Sequence, residues 1–243
     1  MNNIILPKET KLDLAHKGAK ALLNLIPIAG GTVTEIFTLL VVSPIEKRRN
    51  IWMYEVVEAL KKIEEKQNGI VQELANNEEF ISILILASIN ATKTHQKEKH
   101  RYLKNALINS IGEKVTYDVK QIFIKFIDEL TIQHIEILNF IRLYKDRIKS
   151  ANGYSKIYNL LIDDTIDRSV PEISKIEITT FRYFIKDLEA KGLVFVSDDM
   201  REIEGQVHES LFLLLEGQEY EGLPFLKITD FGNDFLTFIE TEK

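Results

Sequence analysis

The chain has 243 residues and no cysteine. That absence removes disulfides, thiolate metal sites, iron–sulfur ligation and cysteine nucleophiles together, and it fits a reducing compartment. Proline and glycine are sparse, five and eleven, so no low-complexity linker is evident. The first residues, Met1-Asn2-Asn3-Ile4-Ile5-Leu6-Pro7-Lys8-Glu9, lack the basic start and apolar run of a signal peptide, and a cytoplasmic location is expected. Motifs that cradle phosphate or present a nucleophile are missing as well. There is no Gly-x-x-x-x-Gly-Lys loop, no Gly-x-Gly-x-x-Gly and no Gly-x-Ser-x-Gly elbow. His95 and His100 are five apart, which does not put both on one helical face, and no Glu-x-x-His pair marks a di-iron bundle. Asp163-Asp164 with Asp167 has nothing nearby to complete a cation cage. No catalytic residue, metal or cofactor is expected, and the chain reads as a non-enzyme.

What is present is a charge split. Residues 1–150 carry 22 Lys+Arg against 18 Asp+Glu, a net of +4, whereas residues 151–243 carry 9 against 19, a net of −10. Because Lys and Arg contacts to phosphate supply most non-specific nucleic-acid affinity, the second part is poorly matched to a polyanion.

Residues 21–45 hold one ionisable side chain, Glu35, and are followed by Lys47-Arg48-Arg49. The stretch looks like a membrane span with a basic flank. Against that, Pro27 and Gly30-Gly31 interrupt it early, and Glu35 near a bilayer centre would cost about 2.5–3.5 kcal/mol. Thr32, Glu35 and Thr38 fall three apart, leaving Val33, Ile36, Phe37, Leu40 and Val41 to the other side. That is the stripe of a core helix. A buried hairpin of two helices, Leu12–Ile26 and Thr32–Val42, is therefore expected within residues 12–42, with exposure to a membrane as an alternative.

Ser43-Pro44-Ile45-Glu46 has the form of a capping box with proline at the first helical position. It predicts a helix from Pro44 through Trp52, Val56, Leu60 and Ile63 to Lys66, stopped by Asn68-Gly69. Asn76-Asn77 caps a further apolar run from Phe80 to Ile89. After the basic stretch Lys93–Lys104, periodicity resumes at Leu103, Leu107 and Ile111, then at Tyr117, Ile122, Phe126 and Leu130. Thr131 is the expected cap of a last helix through Ile135, Leu138, Ile141 and Ile148. Short polar turns between helices imply an N-terminal helical bundle over residues 1–150.

The character changes near Ser150-Ala151-Asn152-Gly153. Helices are expected at Tyr154–Asp163 and Ile178–Ala190, the second with Phe181, Phe184, Ile185 and Leu188 inward and Gly192 at its end. Leu193–Val196 and Pro224–Ile228 read as strands, and Thr229 caps a last helix through Phe231, Phe235 and Leu236. Lys191-Gly192-Leu193 and Ile228-Thr229-Asp230-Phe231-Gly232 are similar to two turns of bacterial winged-helix domains, one leading into the wing and the other opening the last helix. The resemblance covers about 90 residues and implies a winged-helix-like (α+β) domain at 151–243. Ser197–Gly222 is longer than a usual wing. Pro27–Arg49 resembles a stretch of uncharacterised bacterial helical proteins, a resemblance that implies a role in phage defence but carries no functional residue across. The expected fold class is mainly α: a helical bundle plus the winged-helix-like domain.

In a DNA-binding winged helix the second long helix enters the major groove. Here Arg182, Tyr183 and Lys186 would face it, opposed by Asp187 and Glu189 and by an acidic wing. Lys97, Lys99 and Arg101 offer a second basic candidate, and Lys47, Arg48 and Arg49 a membrane or partner flank. The reading the charge split favours is a protein-interaction or regulatory module that binds a protein partner or self-associates. Behind it stand a winged-helix DNA-binding regulator and a membrane-acting effector exposing residues 21–45.

Overall fold

The computed structural model describes residues 36–112, 114–149, 151, 153–162, 176–197 and 226–241. The first helix expected, Leu12–Ile26, its hairpin turn, the Asp163–Asp167 cluster and nearly all of the long wing lie outside the described residues. Within them the protein is mainly helical, with ten α-helices and one small antiparallel sheet. The chain divides into two compact units at Tyr117/Asp118, earlier than the composition change at Ser150–Gly153.

In the first unit, helix α1 (Ser43–Lys66) continues upstream without a break through a π-helical turn, Thr38–Val42. The expected cap at Ser43 is therefore corrected. Ser43 has helical angles, its hydroxyl caps nothing, and its N–H donates to the Thr38 carbonyl. The physical reason is Pro44, which has no N–H for the preceding turn and whose ring would strike the carbonyl four residues back. The wider π turn relieves both demands. The expected burial of residues 32–42 is also corrected for the part described. No residue of Thr38–Val42 is buried, and Ile36, Leu39 and Leu40 are largely exposed.

Helix α1 buries Trp52 and Val56. It ends at Lys66, and the turn that follows passes through Gly69, whose φ of 90° suits a residue without Cβ. The Glu64 carboxylate accepts the N–H groups of Gly69 (2.7 Å) and Val71 (2.9 Å), capping the short helix α2 (Ile70–Leu74). Asn77 caps α3 (Glu78–Lys93) through the Phe80 N–H. Helix α4 (Lys97–Asn109) completes the unit, and α1, α3 and α4 pack on one another. At their centre the Trp52 indole N–H donates to Ser88 Oγ at 2.8 Å. The His100 ring meets the Trp52 ring edge-on, 6.2 Å between centroids.

The second unit contains α5 (Tyr117–Glu129, apart from its first residue), α6 (Ile132–Leu143), α7 (Lys145–Lys149), α8 (Tyr154–Ile162), α9 (Ile178–Ala190) and α10 (Asp230–Ile239). Strands β1 (Val194–Val196) and β2 (Leu226–Ile228) pair antiparallel with Phe195 opposite Lys227. Val194, Val196 and Leu226 point to the core. Phe123 of α5 is fully buried among Phe231, Phe235 and Phe238 of α10, with ring centroids 5.0–5.4 Å apart. Burying one such side chain contributes about 1.5–3 kcal/mol, and tilted ring pairs add roughly 0.5–1.5 kcal/mol. These contacts join α5 to the C-terminal elements across a hundred residues of sequence.

The Lys191-Gly192-Leu193 and Thr229-x-x-Gly232 turns are clasped together. The Thr229 hydroxyl donates to the Gly192 carbonyl (2.7 Å), and the Thr229 N–H donates to Leu193 (3.1 Å). The same hydroxyl oxygen accepts the Gly232 N–H at 2.9 Å, capping α10. A Cβ at Gly232 would lie inside contact distance of the Leu193 carbonyl and 2.9 Å from Ile228 Cγ1. Only glycine fits where the two turns touch.

Candidate functional site

Two of the three predicted basic groups lie in the first unit, and one of them reaches the end of the helix that precedes the other. Arg48 Nη1 donates to the carbonyls of Thr92 (3.3 Å) and Lys93 (3.2 Å), satisfying the open C-terminus of α3. This puts the Arg48 guanidinium at the turn from α3 into α4. In that turn His100 Nε2 lies 3.3 Å from the Thr94 carbonyl, and the Gln96 N–H donates to Thr94 Oγ1. Lys47, Lys97 and Arg101 are exposed; Arg48, Arg49 and Lys99 are half-buried. The Arg101 guanidinium lies 5.3 Å over the Tyr102 ring. His100, in the middle of the basic stretch, is itself core, with Nδ1 4.0 Å from Glu55 Oε2. Arg48 is 45 residues from Lys93 in sequence, and nothing local signals that an arginine of one group caps the helix preceding the other.

The third group lies in the second unit, on α9. Phe181, Phe184, Ile185 and Leu188 are buried as their spacing predicts. Thr179, Tyr183, Lys186 and Ala190 form an exposed stripe, with Tyr183 64% exposed. Arg182 lies half-buried over the Tyr154 ring, 5.5 Å from its centroid. Asp187, expected to oppose these cations, is turned away, with Oδ2 3.4 Å from His134 Nε2 and Oδ1 3.5 Å from Lys191 Nζ.

That carboxylate belongs to a chain of polar contacts the sequence did not reveal. Thr131 caps α6, and His134 Nδ1 accepts the Thr131 N–H at 3.2 Å and lies 2.8 Å from its hydroxyl. Nδ1 is therefore the acceptor for the Thr131 N–H, and Nε2 is the ring nitrogen that faces Asp187. Lys191 continues the chain to Glu129 Oε2 at 3.0 Å. Burial works against the Lys191 ammonium, but Glu129 and Asp187 outweigh it and hold its pKa above the ordinary lysine value. Threonine, histidine and aspartate in line have the composition of a nucleophile, base and orienter. Here His134 is only 4% exposed, its ring rests 4.0 Å from that of Phe184, and the hydroxyl is the helix's own cap. The arrangement splices the start of α6 to α9. Its one sequence signal is Thr131-x-x-His134, a capping box with histidine in the usual glutamate place.

The acidic excess is unevenly placed. Residues 118–243 hold 15 Lys+Arg and 24 Asp+Glu, a net of −9. The described residues of that unit hold eleven of each. The whole excess thus belongs to 163–175, 198–225 and 242–243, and the described framework around α9 is neutral. Among the described residues no three His, Asp or Glu side chains converge as metal ligands, and no helix is long and apolar enough to cross a membrane. Comparison of the chain with protein-family models, curated proteins and solved structures gives no match in any of the three.

Proposed function

We propose that the protein is a non-enzymatic interaction module that associates with a second copy of itself through α3. One observation carries this reading. From Ser82 to Thr92 the helix has no ionisable side chain, yet the side away from the core is left open. Phe80, Ile83, Ala87 and Ala91 face the core, while Ile85 and Ile89, one turn apart on the opposite side, are 55% and 51% exposed. Paired exposed isoleucines on a face without charge favour an interface over open water. The test is light scattering of the full chain across a concentration series. The wild type should show a concentration-dependent mass, and Ile85→Glu/Ile89→Glu should be monomeric with unchanged helix content. A wild type that stays monomeric at high concentration would refute self-association.

A second reading is a winged-helix DNA-binding regulator. It is favoured by the acid-free stripe Thr179, Tyr183, Lys186 and Ala190, and by the order of helix, strand, strand and helix in α9, β1, β2 and α10. Arg182 and Lys186 would meet the duplex. Mobility shift at low and moderate salt decides it. Binding with a steep salt dependence, weakened by Lys186→Ala, supports this reading, and no shift at low salt removes it.

A further inference from the structure

Helix α3 leaves six of its sixteen residues exposed, and five of the six line up. Glu78, Ser82, Ile85, Ile89 and Lys93 follow one another at spacings of four, three, four and four. At about 3.6 residues per turn that keeps them on one stripe, with Glu79 to its side. The stripe has an order: a carboxylate at the N-terminal end, two isoleucines in the middle and an ammonium at the C-terminal end. Lys93 Nζ also donates to Asn90 Oδ1 at 3.0 Å. The point between Ile85 and Leu86 lies midway between Glu78 and Lys93, and midway between Ser82 and Ile89 as well.

We propose that the two copies lay α3 against α3 antiparallel, about a two-fold axis at that midpoint, with Glu78 of each copy meeting Lys93 of the other. This inference rests on self-association through α3 and adds its direction, its register and the residues that select the partner. A two-fold interface must be complementary to itself, because the same patch serves on both sides. Laid antiparallel, the stripe meets that condition. Opposite charges face each other at both ends, the isoleucines close the middle, and the two helix dipoles run opposed. Laid parallel, Glu78 would face Glu78 and Lys93 would face Lys93. A different protein would need the same order of charges reversed, which a second copy of this helix already presents. Exposed ion pairs strengthen association only up to about fivefold each. Their larger effect is to exclude wrong registers, where like charges meet.

The test treats the full wild-type chain with a zero-length carbodiimide, which joins a carboxylate to an amine in contact with it, and maps the linked peptides by mass spectrometry. A Glu78–Lys93 link is expected. Within one helix these residues are fifteen positions apart, roughly 22 Å, so a link between them joins two copies. Glu78→Lys and Lys93→Glu each set like charges together at both ends of the stripe. Each should weaken association about tenfold by light scattering, with helix content unchanged. Mixing the two variants, or combining both changes in one chain, should restore it. A dimer without the Glu78–Lys93 link overturns the antiparallel register and leaves self-association standing. So does a loss in Lys93→Glu that the double variant fails to recover. A chain that stays monomeric at every concentration overturns both.

Discussion

Replacing Gly232 with alanine should be among the most damaging single-methyl changes in the second unit. The added Cβ would press on the Leu193 carbonyl and stand 2.9 Å from Ile228 Cγ1. The obstacle is mainly backbone, which cannot swing aside as a flexible side-chain end can. Moving it disturbs the Thr229 N–H bond to Leu193 and the Thr229 cap on the Gly232 N–H. Overpacking costs about 1–3 kcal/mol, a weakened N-cap about 1 kcal/mol and a loosened backbone bond about 1 kcal/mol. Alanine recovers up to about 1 kcal/mol by its helix propensity. The expected net loss is about 2–4 kcal/mol, which in a chain of this size lowers the melting temperature by roughly 10 °C. Scanning calorimetry of wild type, Gly232→Ala and Gly112→Ala would measure it. At Gly112 the nearest atom to an added Cβ is 3.8 Å away, an ordinary contact, so that variant should melt close to wild type. If Gly232→Ala also melts within about one degree of wild type, the clasp between the two turns is not seated as described.

Ser88→Ala removes the acceptor of the buried Trp52 N–H and should cost about 1–3 kcal/mol, read from the urea midpoint. Glu64 is held below the ordinary carboxylate range, first by the Val71 N–H and then by that of Gly69. Its stabilisation is present above the unfolded value of about 4.3 and disappears as pH falls through the lower folded one. The stability gap between wild type and Glu64→Gln should accordingly be constant near neutrality and close in acid, as followed by thermal melts across pH.

Much of the local architecture was legible in the residues. The apolar spacing of Ile178–Ala190 picked out the four side chains that α9 buries, and threonines 131 and 229 stand at the helix starts their chemistry favours. Ser43 misled because two rules competed at one place. A Ser-Pro-x-Glu string resembles a helix start, but an upstream helix able to widen into a π turn can run through the proline. The place of Asp187 was hidden for another reason. Its spacing puts it on the flank of α9, and only the fold brings His134, 53 positions earlier, within reach. The basic end of the first unit was likewise hidden, since a helix C-terminus closed by Arg48 is a distant contact that leaves no periodic trace. The acidic balance was real as arithmetic, but the described residues of the second unit carry eleven charges of each sign, and the excess belongs to residues 163–175 and 198–225.

The one indole in the chain sits in the heart of the first unit, fastened to Ser88 and edged by His100. Residues 118–243 contain none. Excitation at the red edge of the near-ultraviolet therefore lights the first unit alone. Paired with calorimetry, which registers both, that emission gives an optical means of assigning any unfolding step or ligand response to one half of the molecule without attaching a dye.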